Sequence, residues 1–70
     1  MNNRERIGLQ VAELRNKRGY TTRQLAELSG LNHSNITKIE KGAYNASVDI
    51  LSKLLSPLGA EIAIIDKATK

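Results

Sequence analysis

The chain contains no cysteine, phenylalanine or tryptophan, and only one proline, one histidine and two tyrosines. Without cysteine it can form neither disulfides nor thiolate zinc sites, and it has no cysteine nucleophile. A single histidine cannot build a metal site, so we expect no metal and no other cofactor. The scarcity of aromatic rings argues against a surface that stacks the bases of single-stranded nucleic acid.

Long apolar stretches are also missing. No run approaches the ~20 residues of a transmembrane helix, and the charged N-terminus is not followed by the apolar run of a secretory signal. We therefore expect a cytoplasmic protein without a membrane partner. The sequence also lacks a paired-carboxylate motif, a glycine-rich phosphate loop and metal-ligand spacing, so we do not expect an enzyme.

The composition that remains is that of one small globular domain with a basic excess. Of the 70 residues, 40% are hydrophobic and 26% are charged, and the net charge is +4. Residues 1–23 hold six of the basic groups and only two acidic ones. A concentrated basic segment favours binding to nucleic acid, although a solvated basic helix face would have the same composition.

Apolar spacing and capping residues predict four helices, over residues 4–18, 22–29, 33–41 and from 48 onward. The residues that would cap their N-termini are Asn3, Thr21, Asn32 and Ser47, and Gln24 would complete a capping box with Thr21. Gly8 costs the first helix about 1 kcal/mol relative to alanine, and nothing in the sequence explains it. The predicted buried residues are Ile7, Val11, Leu14, Leu25, Ala26, Leu28, Ile36, Ile39, Ile50, Leu51, Leu54 and Leu55.

The C-terminal segment has a different pattern. Pro57 should end or kink the fourth helix, and in residues 60–66 Ile62 and Ile64 alternate with Ala63 and Ile65, as in a β-strand. Because the chain has no second strand candidate, this strand would need a partner from another chain, most simply a second copy. We predict dimerisation through Ile62, Ile64 and Ile65; a packed apolar tail or a fifth helix are the alternatives.

The second and third predicted helices are separated only by Gly30, Leu31 and Asn32. Two short helices joined by such a turn meet near a right angle, as in a helix-turn-helix. Ala26 supplies the small residue that this crossing needs, and Gly30 can adopt the positive φ that the turn needs.

Residues 21–42, TTRQLAELSGLNHSNITKIEKG, resemble the Xre/Cro family of lambda-repressor-like DNA-binding domains, and the resemblance extends over roughly residues 7–59. It implies an all-α bundle of four or five short helices whose third helix enters the major groove. Thr22 stands where the family usually has a glutamine that touches phosphate, and Pro57 and the strand-like tail replace the usual fifth helix. Such a tail is similar to that of antitoxin members, which dimerise through C-terminal strands. We accordingly divide the chain into a helix-turn-helix domain, 1–59, and a dimerisation tail, 60–70.

The third helix offers candidate contacts to DNA. With Ile36 and Ile39 facing inward, its outward face is polar and can form hydrogen bonds to base edges, although a solvated polar face is the alternative. The predicted base contacts are His33, Ser34, Asn35, Thr37 and Lys38. The predicted phosphate contacts are Thr22, Arg23, Lys41, Tyr44 and Asn45.

One pair of charged residues is assigned a structural role. Arg15 and Glu40 resemble the family's ion pair between the first and third helices, and a carboxylate left unpaired beside DNA would be repelled.

Taken together, these features of the sequence predict a regulator that binds double-stranded DNA sequence-specifically, as a dimeric repressor. The alternative is an antitoxin-type module that masks a partner protein, such as a toxin, and autoregulates its operon.

Overall fold

A computed structural model describes residues 1–68 and contains four α-helices. They are α1 (Asn3–Arg18), α2 (Thr22–Ser29), α3 (His33–Glu40) and α4 (Val48–Leu55), and a 3₁₀ helix, Ser56–Leu58, follows α4 directly. The all-α helix-turn-helix bundle is therefore confirmed. The fully buried side chains come from every helix and form one core: Val11, Leu25, Ile36, Ile39, Leu54 and Leu58.

The N-terminal capping residues are those predicted from the sequence, except at α1, where the cap lies one position earlier. Thr21 and Gln24 form the predicted capping box, in which the Gln24 amide donates to Thr21 Oγ1 (3.1 Å) and the Thr21 amide donates to Gln24 Oε1 (2.8 Å). The cap of α1 is Asn2 rather than Asn3, because Glu5 lies three residues after Asn2 and completes a capping box with it. At its other end, α3 stops at Glu40, and Lys41 is its C-cap rather than its last helical residue.

The prediction that Leu28 is buried is wrong, since 55% of this residue is exposed. In α2 only Leu25 is fully buried, and Ala26 and Ser29 are half-buried beside it. At about 100° per residue, the inward face is centred between Leu25 and Ala26, and Leu28 lies roughly 110° away from that centre. The spacing of the two leucines therefore did not indicate the buried face of α2, which Leu25 shares with the smaller residues Ala26 and Ser29.

The structure explains Gly8. This residue is buried where α1 packs against α3, and a Cβ added to it would overlap the carbonyl oxygen of Ile39 and lie 2.9 Å from that of Glu40. Gly42, which has a φ of 75°, faces the start of α1, and its added Cβ would lie 2.6 Å from Glu5 Cγ. Two glycines therefore allow α1 to approach the end of α3 more closely than side chains would permit.

Residues 60–66 form neither a helix nor a strand in this single chain. They run beside a groove between α1 and α4, where Ile62 remains 43% exposed, while Ile64 and Ile65 are 98% and 85% exposed. The predicted strand is thus not observed, and the described part of the chain offers it no second strand to pair with. Two positions of the predicted tail, residues 69 and 70, lie outside the described residues.

Within residues 1–68, no helix has both the length and the apolar character needed to cross a membrane.

Candidate DNA-binding site

The turn between α2 and α3 fixes the position of the candidate recognition helix. Gly30 ends α2 with a φ of 75°, and its amide donates to the carbonyl of Ala26 (2.9 Å). Leu31 then packs against the core, and the side chain of Asn32 caps α3 by accepting from the amide of Ser34. The chain therefore turns sharply over three successive residues: one with a positive φ, one whose side chain packs against the core, and one that caps the next helix. This turn lets α3 start directly after α2.

The outer face of α3 contains the five predicted base-contact residues. Ile36 and Ile39 are buried on the opposite side and fix which face is outward. Ser34 and Lys38 are exposed, whereas His33, Asn35 and Thr37 are half-buried along the edges of this face. The outward face is therefore polar, and Lys38 places a positive charge on it.

Two hydroxyl groups of α3 already use their protons within the protein. Ser34 Oγ donates to Asn32 Oδ1 (2.6 Å), and Thr37 Oγ1 donates to the backbone carbonyl of His33 (3.2 Å). A hydroxyl whose proton is committed keeps only its lone pairs for a further partner. In this conformation, therefore, Ser34 and Thr37 can accept hydrogen bonds from a base but cannot donate to one, a restriction that the sequence did not reveal.

A hydrogen bond joins the two predicted contact sets. Thr22, at the first position of α2, was predicted to contact phosphate, and His33, at the first position of α3, was predicted to contact a base. Their side chains lie 2.8 Å apart, between Thr22 Oγ1 and His33 Nε2, and both residues are half-buried. The first residues of α2 and α3 are thus held together by their side chains.

The other predicted phosphate contacts differ in their surroundings. Arg23, Lys41 and Asn45 are exposed, while Tyr44 is half-buried and packs against the core. A cleft between the start of α1 and the loop after α3 is lined by Asn3 and Arg4 as well as by Tyr44 and Asn45. Arg4 therefore adds a basic side chain beside this loop.

Arg15 and Glu40 form a bidentate salt bridge between α1 and α3. Arg15 Nε donates to Glu40 Oε2 (2.7 Å), and Nη2 donates to Oε1 (3.0 Å). The remaining guanidinium nitrogen, Nη1, donates to the carbonyl of Tyr20 (2.8 Å). The side chains are only 14% and 11% exposed. The hydrogen bond to Glu40 raises the pKa of Arg15 above its ordinary value, against the opposing effect of burial.

Comparison with known proteins places this geometry in a family. A family model described as a helix-turn-helix matches residues 11–65. The chain is 38% identical over 56 residues to the HTH-type transcriptional regulator PuuR of Escherichia coli, covering 80% of this chain and 30% of PuuR. It is 39% identical over 56 residues to an HTH-type transcriptional regulator of Haemophilus influenzae, covering 80% of this chain and 57% of that protein. The chain thus spans little more than half of these relatives at most.

Two solved structures share the fold. The clp gene regulator ClgR from Corynebacterium glutamicum superposes with a TM-score of 0.81 at 30% identity, covering 84% of this chain and 76% of that chain. The restriction-modification controller protein C.AhdI from Aeromonas hydrophila superposes with a TM-score of 0.79 at 35% identity, covering 81% of this chain and 86% of that chain. The chain belongs to the Xre-like helix-turn-helix family, whose domains are the DNA-binding domains of transcriptional regulators.

Proposed function

We propose that the chain binds double-stranded DNA sequence-specifically through α3 and regulates transcription as a homodimeric repressor. The observation that supports this proposal most directly is the polar outer face of α3, held by a helix-turn-helix and backed by Ile36 and Ile39. A helix in this arrangement enters the major groove with its first residues at the base edges. His33, Ser34, Asn35, Thr37 and Lys38 would then read bases, and Lys38 suits the acceptors of guanine.

Phosphate contacts would hold this helix in register. Arg23 on α2 and Lys41 after α3 flank the recognition helix, and both are exposed. Thr22, Tyr44 and Asn45 complete the proposed set, and Arg4 lies in the cleft beside the last two. Such contacts contribute affinity that depends on salt but not on base sequence.

Dimerisation is supported by the tail. Ile64 and Ile65 are 98% and 85% exposed, although removing apolar side chains from water lowers the free energy of the protein. Ile62 and Ile65 line the apolar groove between α1 and α4, whereas Ile64 lies outside it. Pairing two tails would remove part of this apolar surface from water and give residues 60–66 a hydrogen-bonded partner. Two copies related by a two-fold axis would present two α3 helices about 34 Å apart, one turn of DNA.

Selection of bound sequences from a random duplex library, at near-physiological salt and with the full chain, tests the proposal. We expect an inverted repeat whose half-sites are one helical turn apart. A single half-site would contradict the dimer and keep the DNA-binding function. No enriched sequence would contradict the proposed function and favour a protein-binding role.

Replacing Lys38 or Arg23 with alanine should affect binding in different ways. Lys38→Ala should relax the preference at one base pair of the half-site, at a cost of about 1–3 kcal/mol for the preferred sequence. Arg23→Ala, its matched control, should weaken preferred and scrambled sequences equally and reduce the slope of log affinity against log salt by about one. Fluorescence anisotropy titrations over a salt series measure both quantities. Equal losses on all sequences for Lys38→Ala would contradict its assignment to a base.

Replacing Ile64 with aspartate should convert the dimer into a monomer without unfolding the helices. The residue is 98% exposed in the single chain, so the fold of the monomer does not depend on it, whereas a charge at a paired strand would oppose dimerisation. Val48→Asp is a suitable control, because Val48 is also an exposed apolar residue (67%), at the start of α4. Sedimentation at micromolar concentration and circular dichroism provide the two measurements. An Ile64→Asp protein that still sediments as a dimer would overturn the tail-pairing model.

A further inference from the structure

The hydrogen bond between Thr22 and His33 links a proposed phosphate contact to a proposed base contact. His33 supplies the only imidazole of the chain, and its Nε2 lies 2.8 Å from Thr22 Oγ1. A hydroxyl can donate to a ring nitrogen that lacks a proton or accept from one that has a proton. Either arrangement fits this distance, so the protein alone leaves the tautomer of the ring open.

A phosphate at Thr22 would remove this ambiguity. A phosphate oxygen can only accept, so the hydroxyl that contacts it must donate its single proton to that oxygen. Thr22 Oγ1 can then only accept from His33, which requires a proton on Nε2. In the tautomer that carries only this proton, the other ring nitrogen, Nδ1, is a hydrogen-bond acceptor. The proton changes position between the two nitrogens by exchange with water, so no other reactant is needed.

Resting on the proposed function, we infer that the DNA phosphate bound by Thr22 selects the tautomer of His33 and thereby makes its ring an acceptor toward the bases. In the major groove, acceptors pair with the amino groups of adenine and cytosine, whereas guanine presents its own acceptors, O6 and N7. Thr22 is therefore a positioning residue for His33, and one phosphate contact, which by itself carries no sequence information, sharpens the choice of base.

The neighbouring hydroxyl groups support the same polarity. Ser34 and Thr37 have both donated their protons within the protein, to Asn32 and to the backbone of His33, and retain only lone pairs toward DNA. An Nδ1 acceptor on His33 would add a third acceptor beside these two hydroxyl groups. Lys38, further along the helix, is the charged donor of the set, and the side-chain amide of Asn35 can both donate and accept.

The single histidine makes the test direct. In protein labelled with ¹⁵N-histidine, the two ring nitrogens give one pair of signals, which report the tautomer without assignment. The probe is the duplex obtained by the selection experiment, bound to the full chain. We expect a neutral ring with its proton on Nε2 in the complex, and adenine or cytosine at the base that loses its preference in His33→Ala.

Four variants separate this role from a purely structural one. Thr22→Val removes the hydroxyl and should reduce discrimination at the His33 base pair about tenfold, whereas Thr22→Ser should restore it. In a His33→Ala background, Thr22→Val should have no further effect on that base pair. Ser52→Ala, a hydroxyl deletion on the exposed face of α4, should change neither the ring signals nor base preference.

The outcomes distinguish failure of the inference from failure of the proposed function. A complex with the proton on Nδ1, a doubly protonated ring, or a Thr22→Val protein with wild-type ring signals and base preference would overturn the inference and leave DNA binding intact. A wild-type chain that selects no sequence would overturn the proposed function, and the inference with it.

Discussion

Replacing Glu40 with alanine should lower the free energy of unfolding by about 3–5 kcal/mol. The change removes both carboxylate oxygens from Arg15, which is only 14% exposed on its side chain and keeps just its hydrogen bond to the carbonyl of Tyr20 and a weak one to Asn16. A guanidinium that is largely shielded from water and loses its counter-charge keeps much of its desolvation cost without compensation. Because domains of this size seldom exceed about 3–5 kcal/mol of stability, most of the protein should be unfolded at 37 °C.

Urea unfolding followed by circular dichroism at 222 nm measures this effect, and two further variants identify its cause. The double variant Arg15→Met with Glu40→Leu removes both charges and should be markedly more stable than Glu40→Ala. Glu13→Ala deletes an exposed carboxylate from α1 and should change stability by less than about 0.5 kcal/mol. Because Glu40 faces α1, the fraction of Glu40→Ala that remains folded at low temperature should keep the wild-type base preference. An unfolding midpoint equal to that of wild type would contradict the structural role of the pair.

Features that depend on neighbouring residues were predictable from the sequence. The capping box of α2 joins Thr21 to Gln24, and the hydrogen bond that ends this helix joins Gly30 to Ala26. All of these partners lie within four positions of each other, so residue type and spacing were sufficient to place both ends of α2. The Arg15–Glu40 pair spans 25 positions and became predictable only through the resemblance to the family.

Features that depend on distant residues were not predictable. The role of Gly8 requires knowing that the backbone of Ile39 lies against it, and the bond between Thr22 and His33 requires the crossing geometry of α2 and α3. The exposure of Leu28 depends on which side of a short helix the rest of the chain covers. The sequence pattern indicated the apolar spacing of α2 and the cost of a glycine in α1. Which residues Gly8, Thr22 and Leu28 contact, or fail to contact, was determined only by the tertiary packing.

Replacing Gly8 with alanine should destabilise the domain by about 2 kcal/mol, although alanine is the better helix former by about 1 kcal/mol. The new Cβ would overlap the carbonyl oxygen of Ile39 and press on that of Glu40, and both are backbone atoms that cannot rotate away. The only relief is for α1 to move away from α3, which loosens the packing that orients the recognition helix. The ion pair between Arg15 and Glu40 spans the same interface and should weaken with it.

The DNA-binding consequence distinguishes this variant from a change on the reading face. Displacement of α3 as a unit should weaken binding to the selected sequence and leave the order of base preferences unchanged, whereas Lys38→Ala should alter that order at one position. Urea unfolding and anisotropy titrations of Gly8→Ala beside Glu13→Ala, an alanine substitution on the exposed face of the same helix, provide the comparison. If Gly8→Ala were as stable as wild type, the close approach of α1 to the last turn of α3 would be refuted. The position of the recognition helix would then have to depend on its turn with α2 and not on its contact with α1.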